Sequence, residues 1–328
     1  MSDYRLIDNH REPTKMLFGL EVQITKCEHS VRFTRGEYND KELESVIGKT
    51  VDLDDFVLTK KHSFQYGDKS IYILQTFSED QCYINELPSK YIEKVNQQGI
   101  KEKHRFSITP TDMCVTDNSD VYFTDEINKS ISCLSPSGSV STVISTDPLR
   151  PLGICLSVDG GLLVTLKDNA LGLHKLELYS RRLVRHITVT GDVIHVYEYQ
   201  EDGHTRLFTF PFRVVQNSDS DICVVNLKSG TTGELMIMSA SGHMKSVYRG
   251  QNLTEVFKPI DVVCDSLCNI LVTDIKNKQI HLLSPDGEFL KILLTENDEN
   301  LPSSLSLYKS TLWVGYQKGL VKVFKYRV

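Results

Sequence analysis

Apolar and polar residues alternate in short bursts along most of this chain. From Val57 onward, β-branched and aromatic runs of four to seven residues are punctuated by Gly, Asp, Asn and Pro, which predicts strands and turns rather than helices. One stretch occurs twice. PTDMCVTDNSDVYFTDEINKSISCLSPSG from Pro110 and PIDVVCDSLCNILVTDIKNKQIHLLSPDG from Pro259 align without a gap. Pro110/Pro259, Asp112/Asp261, Thr124/Thr273, Asp125/Asp274, Asn128/Asn277 and Lys129/Lys278 are among the coincidences, so the pattern is that of a repeat.

Weaker copies extend it. Pro151-Leu152-Gly153 opens like Pro-x-Asp with Gly for Asp, Ser220-Asp221-Ile222-Cys223 matches without the proline, and Pro302-Ser303-Ser304 opens the last unit. The interval from Gly153 to Asp221 is too long for one unit and too short for two. The excess reads as a long fourth strand and return loop over 190–213. A period near forty with three or four short strands per unit predicts an all-β, six-bladed propeller of four-stranded antiparallel blades. The blades fall at 57–104, 105–146, 147–204, 205–251, 252–298 and 299–328. The sixth is one strand short, and an N-terminal strand from 20–35 or 51–59 is expected to close it, since closure protects an exposed edge. Residues 1–50 then form an extension and 51–328 the propeller.

Composition adds bounds. A 328-residue chain with 40% hydrophobic and 24% charged residues is that of a soluble globular protein. Its net charge of −6 argues against a global polyanion trap and gives no reason to expect DNA binding. There is no apolar run long enough for a membrane span and no secretory h-region at the start. Eight cysteines without a leader read as reduced thiols of a cytoplasmic protein.

Candidate chemistry follows from the repeat. Asp112, Asp221 and Asp261 are expected at one level near the axis, where a carboxylate ring would suit Ca²⁺ or a catalytic metal. The alternative is that each accepts backbone N–H groups from a neighbouring segment, which is what a residue repeated with the blade period usually does. Cys114, Cys155 and Cys223 stand two places further on, a register that fits small buried residues better than zinc ligands. No nucleophile elbow, phosphate-binding glycine loop or H-E-x-x-H helix is present, so neither enzyme nor cofactor nor metal is expected.

The loops between second and third strands should share the face on which the first strands enter. They carry Lys90, Lys129, Lys167, Lys228, Lys276, Lys278 and Lys318, and the basic run with Lys101, Lys103 and Arg105 is expected to join the first two blades on that face. Acidic Asp117, Asp120, Asp159 and Asp265 fall on the opposite face, and ENDEN (296–300) makes the closing sector acidic. These basic residues are the candidate partner-binding set.

The blade core VTDIKNKQIHLLSPDGEFL (272–290) resembles the NHL repeat of tripartite-motif (TRIM-NHL) proteins. DICVVN, TGELMIMSASG, PIDVVCD and SLSLYKSTLWVGYQKGLVKVFKY resemble the blades of its invertebrate, especially bivalve, branch. The paired Cys/His spacings of RING and B-box modules, and the coiled coil, do not occur here. The resemblance implies a non-enzymatic recognition propeller that binds a protein partner as adaptor or scaffold. Two alternatives stand beside it. One is RNA binding by a basic sector with Phe106 or Phe208 for stacking; the other is a metal-dependent lactonase-like enzyme.

Overall fold

The computed structural model describes residues 26–27, 30–31, 53–169, 174–252, 254–297 and 299–327. The contacts divide the chain into two units. One includes the hairpin Lys26–Cys27/Ser30–Val31 and a 3₁₀ turn at Leu53–Asp55; the other is Leu58–Tyr326. Most of the 1–50 extension, including 20–25 and 32–35 of the first closing candidate, lies outside the described residues.

The larger unit is a six-bladed propeller of four-stranded antiparallel sheets. Blade 1 comprises Ser70–Thr76, Gln81–Leu87, Ile92–Asn96 and Lys101–Phe106; blade 2 comprises Asp112–Val115, Val121–Asp125, Ser130–Leu134 and Val140–Ser145. Blade 3 has Arg150–Leu156, Leu162–Lys167, Arg182–Ile187 and Val193–Tyr197, and blade 4 has Pro211–Gln216, Ile222–Leu227, Gly233–Met238 and Met244–Tyr248. Blade 5 has Pro259–Cys264, Ile270–Asp274, Gln279–Leu283 and Phe289–Thr295. Blade 6 takes Pro302–Tyr308, Thr311–Tyr316 and Leu320–Arg327 and is completed by Val57–Gln65. Tyr66 N–H donates to the Gly319 carbonyl at 2.9 Å beside that junction.

Two boundaries differ from the sequence reading. Residues 57–65 belong to the sixth blade, not the first. The innermost strand of blade 4 is Pro211–Gln216, so Asp221 and Cys223 stand at the head of the second strand instead of on the first. The extra length before blade 4 is taken up by the connections 168–181 and 198–210. The motif hides because Pro211-Phe212-Arg213 carries an arginine where blades 2, 3, 5 and 6 have Asp, Gly, Asp and Ser.

The middle two strands of each blade supply the core. Those of blades 3, 4 and 5 are buried almost throughout, and clusters such as Leu235, Ile237, Val262, Ile270 and Val272 weld one blade to the next. Each innermost strand of blades 3 to 6 breaks register just after its opening residue or proline, at Pro151/Ile154, Pro211/Arg213, Pro259/Val262 and Pro302/Ser304. A bulge re-aims the residue within it. Thr165 and Thr273 fill the break in blades 3 and 5, accepting through Oγ1 the N–H of Gly153 or Asp261 at 2.7 and 2.9 Å, and Thr124 makes the same bond to the Asp112 N–H at 3.0 Å. The repeated Thr is thus part of the bulge, and the bulge turns the third residue toward the axis.

Gly153 shows why Asp is absent from blade 3. A Cβ there would stand 2.7 Å from the Phe212 carbonyl oxygen and 2.9 Å from Arg213 Cα, because the blade 4 strand passes against it. Its neighbour's arginine fills the axial space instead.

Candidate functional site

The axis is closed by one cation between two carboxylates. Arg213 Nη1 stands 3.3 Å from Asp112 Oδ2, and Nε stands 3.9 Å from Asp261 Oδ1. The guanidinium also donates to the carbonyls of Thr111 at 2.9 Å and Tyr72 at 3.2 Å, both on the entry side. Its plane lies 4.9 Å from the Tyr72 ring and 4.8 Å from the Phe212 ring, which shield it on that side. The arginine side chain is 5% exposed.

Each carboxylate also braces a neighbouring blade. Asp112 Oδ2 accepts the Ile154 N–H of blade 3 at 3.0 Å, and Asp261 Oδ2 accepts the Leu305 N–H of blade 6 at 2.8 Å. Asp261 Oδ1 further accepts the Val262 N–H at 2.9 Å. These are backbone contacts of the kind expected from a residue recurring with the blade period.

Burial dominates the ionisation of the cluster. It pushes the Asp261 carboxyl up to about 7, with the Arg213 charge opposing and the Asp112 charge reinforcing the rise. Burial raises Asp112 as well, against the pull of Arg213 and of the Ile154 and Met113 N–H groups. Arg213 loses solvation, but the neighbouring Asp112, Tyr72 and Asp261 outweigh that and hold it above its ordinary value. One ionised carboxylate balances the guanidinium, and burial holds the proton of Asp261 toward the neutral range.

Behind this cluster, along the innermost strands, lies a cavity of about 250 Å³ bounded by Gln75, Val115, Leu156, Val215, Val263 and Leu307, with Asp112, Arg213 and Asp261 in its wall. Its size falls below the roughly 300–1,000 Å³ of ordinary ligand clefts, so an occupant must be compact.

The carboxylate ring weighed as one of the two readings of Asp112, Asp221 and Asp261 is not assembled. Asp221 is bound instead to Lys245 Nζ at 2.6 Å. Between the remaining two aspartates a guanidinium already holds the cationic position, so this donor set does not fit a metal ion. Among the described residues no three His, Cys, Asp or Glu side chains cluster as ligands. Cys223 is likewise off the inner strand, where Val215 takes the place; Cys114 and Cys155 do line the cavity. The seven described cysteines are free.

Most of the basic residues are paired with nearby acids. Lys101, Lys103 and Arg105 lie in the outer strand of blade 1, not in a connection between blades. Lys101 and Arg105 both pair with Glu93, at 2.9 and 2.8 Å. Lys129 pairs with Asp147 at 2.7 Å, Lys167 is buried against Glu126 at 2.8 Å, Lys228 is 3.5 Å from Glu234, and Lys318 pairs with Glu299. Lys90, Lys276 and Lys278 lie in the turns between second and third strands as expected, Lys90 and Lys276 exposed and Lys278 half-buried. Lys129 and Lys278 have φ of 51° and 58°, so their recurrence marks a left-handed turn position. Phe208 is 1% exposed, and Phe106 packs half-buried on Tyr83 with ring centroids 6.3 Å apart, so neither offers a free stacking face.

No family model matches the chain, and no curated protein does. Solved structures do. A streptogramin B lyase structure matches with a TM-score of 0.58 at 15% identity over 84% of this chain and 99% of that one. The virginiamycin B lyase of Staphylococcus aureus matches at 0.58 and 12%, over 82% and 99%. A gluconolactonase from Xanthomonas campestris matches at 0.61 and 10%, over 83% and 95%. At these identities the likeness is one of fold: a six-bladed propeller. These neighbours are named as enzymes, which corrects the expectation of a non-enzymatic recognition module. Of what the TRIM-NHL resemblance implied, the six-bladed propeller fold is what the structure and these neighbours support. Among the described residues no helix is long and apolar enough to cross a membrane.

Proposed function

We propose that this chain is a small-molecule enzyme that opens a compact cyclic ester by acid–base chemistry at the axial cluster. The observation that carries the reading is the cluster itself: two carboxyl groups flank a fixed guanidinium in the wall of an axial cavity. The fold shared with lyases and gluconolactonases supports the substrate class.

In this reading, a water oxygen attacks the ring carbonyl carbon while Asp261 takes the water proton. A base whose carboxyl titrates near 7 matches that task at neutral pH. Arg213 faces the oxyanion as charge develops, and its position is fixed beforehand by Asp112 and the carbonyls of Tyr72 and Thr111. The ring C–O bond then breaks, the proton passes from Asp261 to the leaving alkoxide, and one hydroxy acid results. No step requires a metal, in keeping with a donor set already filled by arginine. The reading includes a cytoplasmic location, supported by the free thiols.

The test is product formation from a panel of small five- and six-membered lactones. Wild type is expected to open at least one of them, with Asp261→Asn slower by at least a hundredfold. Absence of turnover across the panel, or equal turnover by Asp261→Asn, contradicts the proposal.

A further inference from the structure

On the flank of blade 3, two arginines pair with one acid, and a third, Arg185, lies within range of its charge. Arg181 grips Glu198 with both Nε, at 3.1 Å to Oε1, and Nη2, at 2.7 Å to Oε2. Arg206 Nη1 reaches the same Oε1 at 3.3 Å, and its Nη2 donates to the Leu178 carbonyl at 3.1 Å. Glu198 is 8% exposed at its side chain and is fully engaged. Arg181 and Arg185 are four residues apart in sequence, and Arg185 lies in the third strand opposite Val196, two places before Glu198. Alternation along a strand therefore puts Arg181, Arg185 and Glu198 on one face.

Arg185 is the anomaly. Its Nε is buried and has no hydrogen-bond partner among the described residues. Burial and the nearby Arg181 charge weaken its hold on the proton, and Glu198 relieves this only in part. A buried donor on a charged group without a partner costs free energy, and native structures leave few such groups unless a water or ion meets them. Three guanidinium groups against one carboxylate leave two positive charges in excess. Arg181 is about half exposed, so the cluster is reachable from solvent.

We propose that Arg181, Arg185 and Arg206 form a binding site for a small dianionic oxyanion of the phosphate-monoester class, with Glu198 orienting two of the three arginines. Planar, forked donors suit such a ligand bidentately. The site is separate from the axial cluster and stands whether or not that cluster is catalytic.

The experiment is thermal unfolding and calorimetric titration of the full chain with inorganic phosphate and with glycerol phosphate, each against sodium chloride of matched ionic strength. Wild type is expected to gain several degrees at millimolar concentrations of either ligand and nothing from chloride. Arg185→Met is expected to melt higher than wild type without ligand, because a buried donor without a partner is gone, and to bind both ligands at least tenfold more weakly. A wild-type response no larger than that to chloride overturns the site, as does Arg185→Met binding like wild type. Binding of inorganic phosphate with exclusion of glycerol phosphate overturns the assigned ligand class.

Discussion

Arg213 of the fourth blade sets its Nη1 3.3 Å from Asp112 Oδ2 of the second, across the propeller axis. The contact joins two blades that share no sheet, and it stands where the chain departs from its own repeat. An arginine replaces the Asp of Pro-x-Asp, and the two aspartates that remain become its counter-ions.

Removing that arginine should expose the cost of the arrangement. Arg213→Met leaves two buried carboxyl groups with no counter-charge, and breaking a buried pair in this way costs about 3–5 kcal/mol. The loss should be larger at pH 8 than at pH 5, because burial raises both carboxyls and protonation removes their uncompensated charge. Urea unfolding at the two pH values measures it; equal losses would contradict the electrostatic account.

Stability should fall as pH rises through the range where Asp261 titrates. The fold raises this carboxyl from 3.8 to about 7, so the folded chain holds a proton that the unfolded chain has released. Its stabilising contribution is full below about 4 and is lost as pH climbs toward 7. Asp261→Asn keeps an acceptor for the Leu305 N–H and cannot ionise. It should therefore gain on wild type across this window, by up to about 1.4 kcal/mol per pH unit. Melting curves from pH 4 to 8 give the comparison, and parallel curves for the two proteins would refute the shift.

Gly153→Ala tests the packing of blade 4 on blade 3. The added methyl meets the Phe212 carbonyl at 2.7 Å, and backbone cannot swing aside as a side chain does. Overpacking of this kind costs about 1–3 kcal/mol. Because the strain falls beside Arg213, the pH dependence of stability should change with it.

Lys278 should prove to be a turn residue first. With φ at 58° it holds a left-handed backbone that glycine adopts freely. Lys278→Gly is expected to be neutral or stabilising by up to about 1 kcal/mol, and Lys278→Val clearly destabilising, in denaturant titrations. A loss on Lys278→Gly would mean that the ammonium makes a contact worth more than the turn.

The blades were legible because strand alternation, Pro-x-Asp openings and the doubled segment all point one way. The closing strand was harder to place, since Val57–Gln65 carries Lys60, Lys61 and His62 and reads like any first strand of a blade. The axial site was half visible. Asp112 and Asp261 stood out through periodicity, but periodicity also drew in Asp221, whose neighbours merely copy the apolar run of an inner strand. Arg213 escaped notice because it breaks the motif at the position of interest. The proline at 211, followed three residues later by Val214-Val215, was the available signal. The lysines repeated for a local reason, the geometry of the turn, and their acidic partners come from segments that sequence spacing does not bring together.

The most direct test of the axial centre is the pH–rate profile of lactone opening by wild type and Asp261→Asn. The account predicts that wild-type kcat/KM rises with an apparent pKa near 7 and levels off above it, while the variant is slow and shows no such limb. A profile with the same limb in both proteins would contradict it.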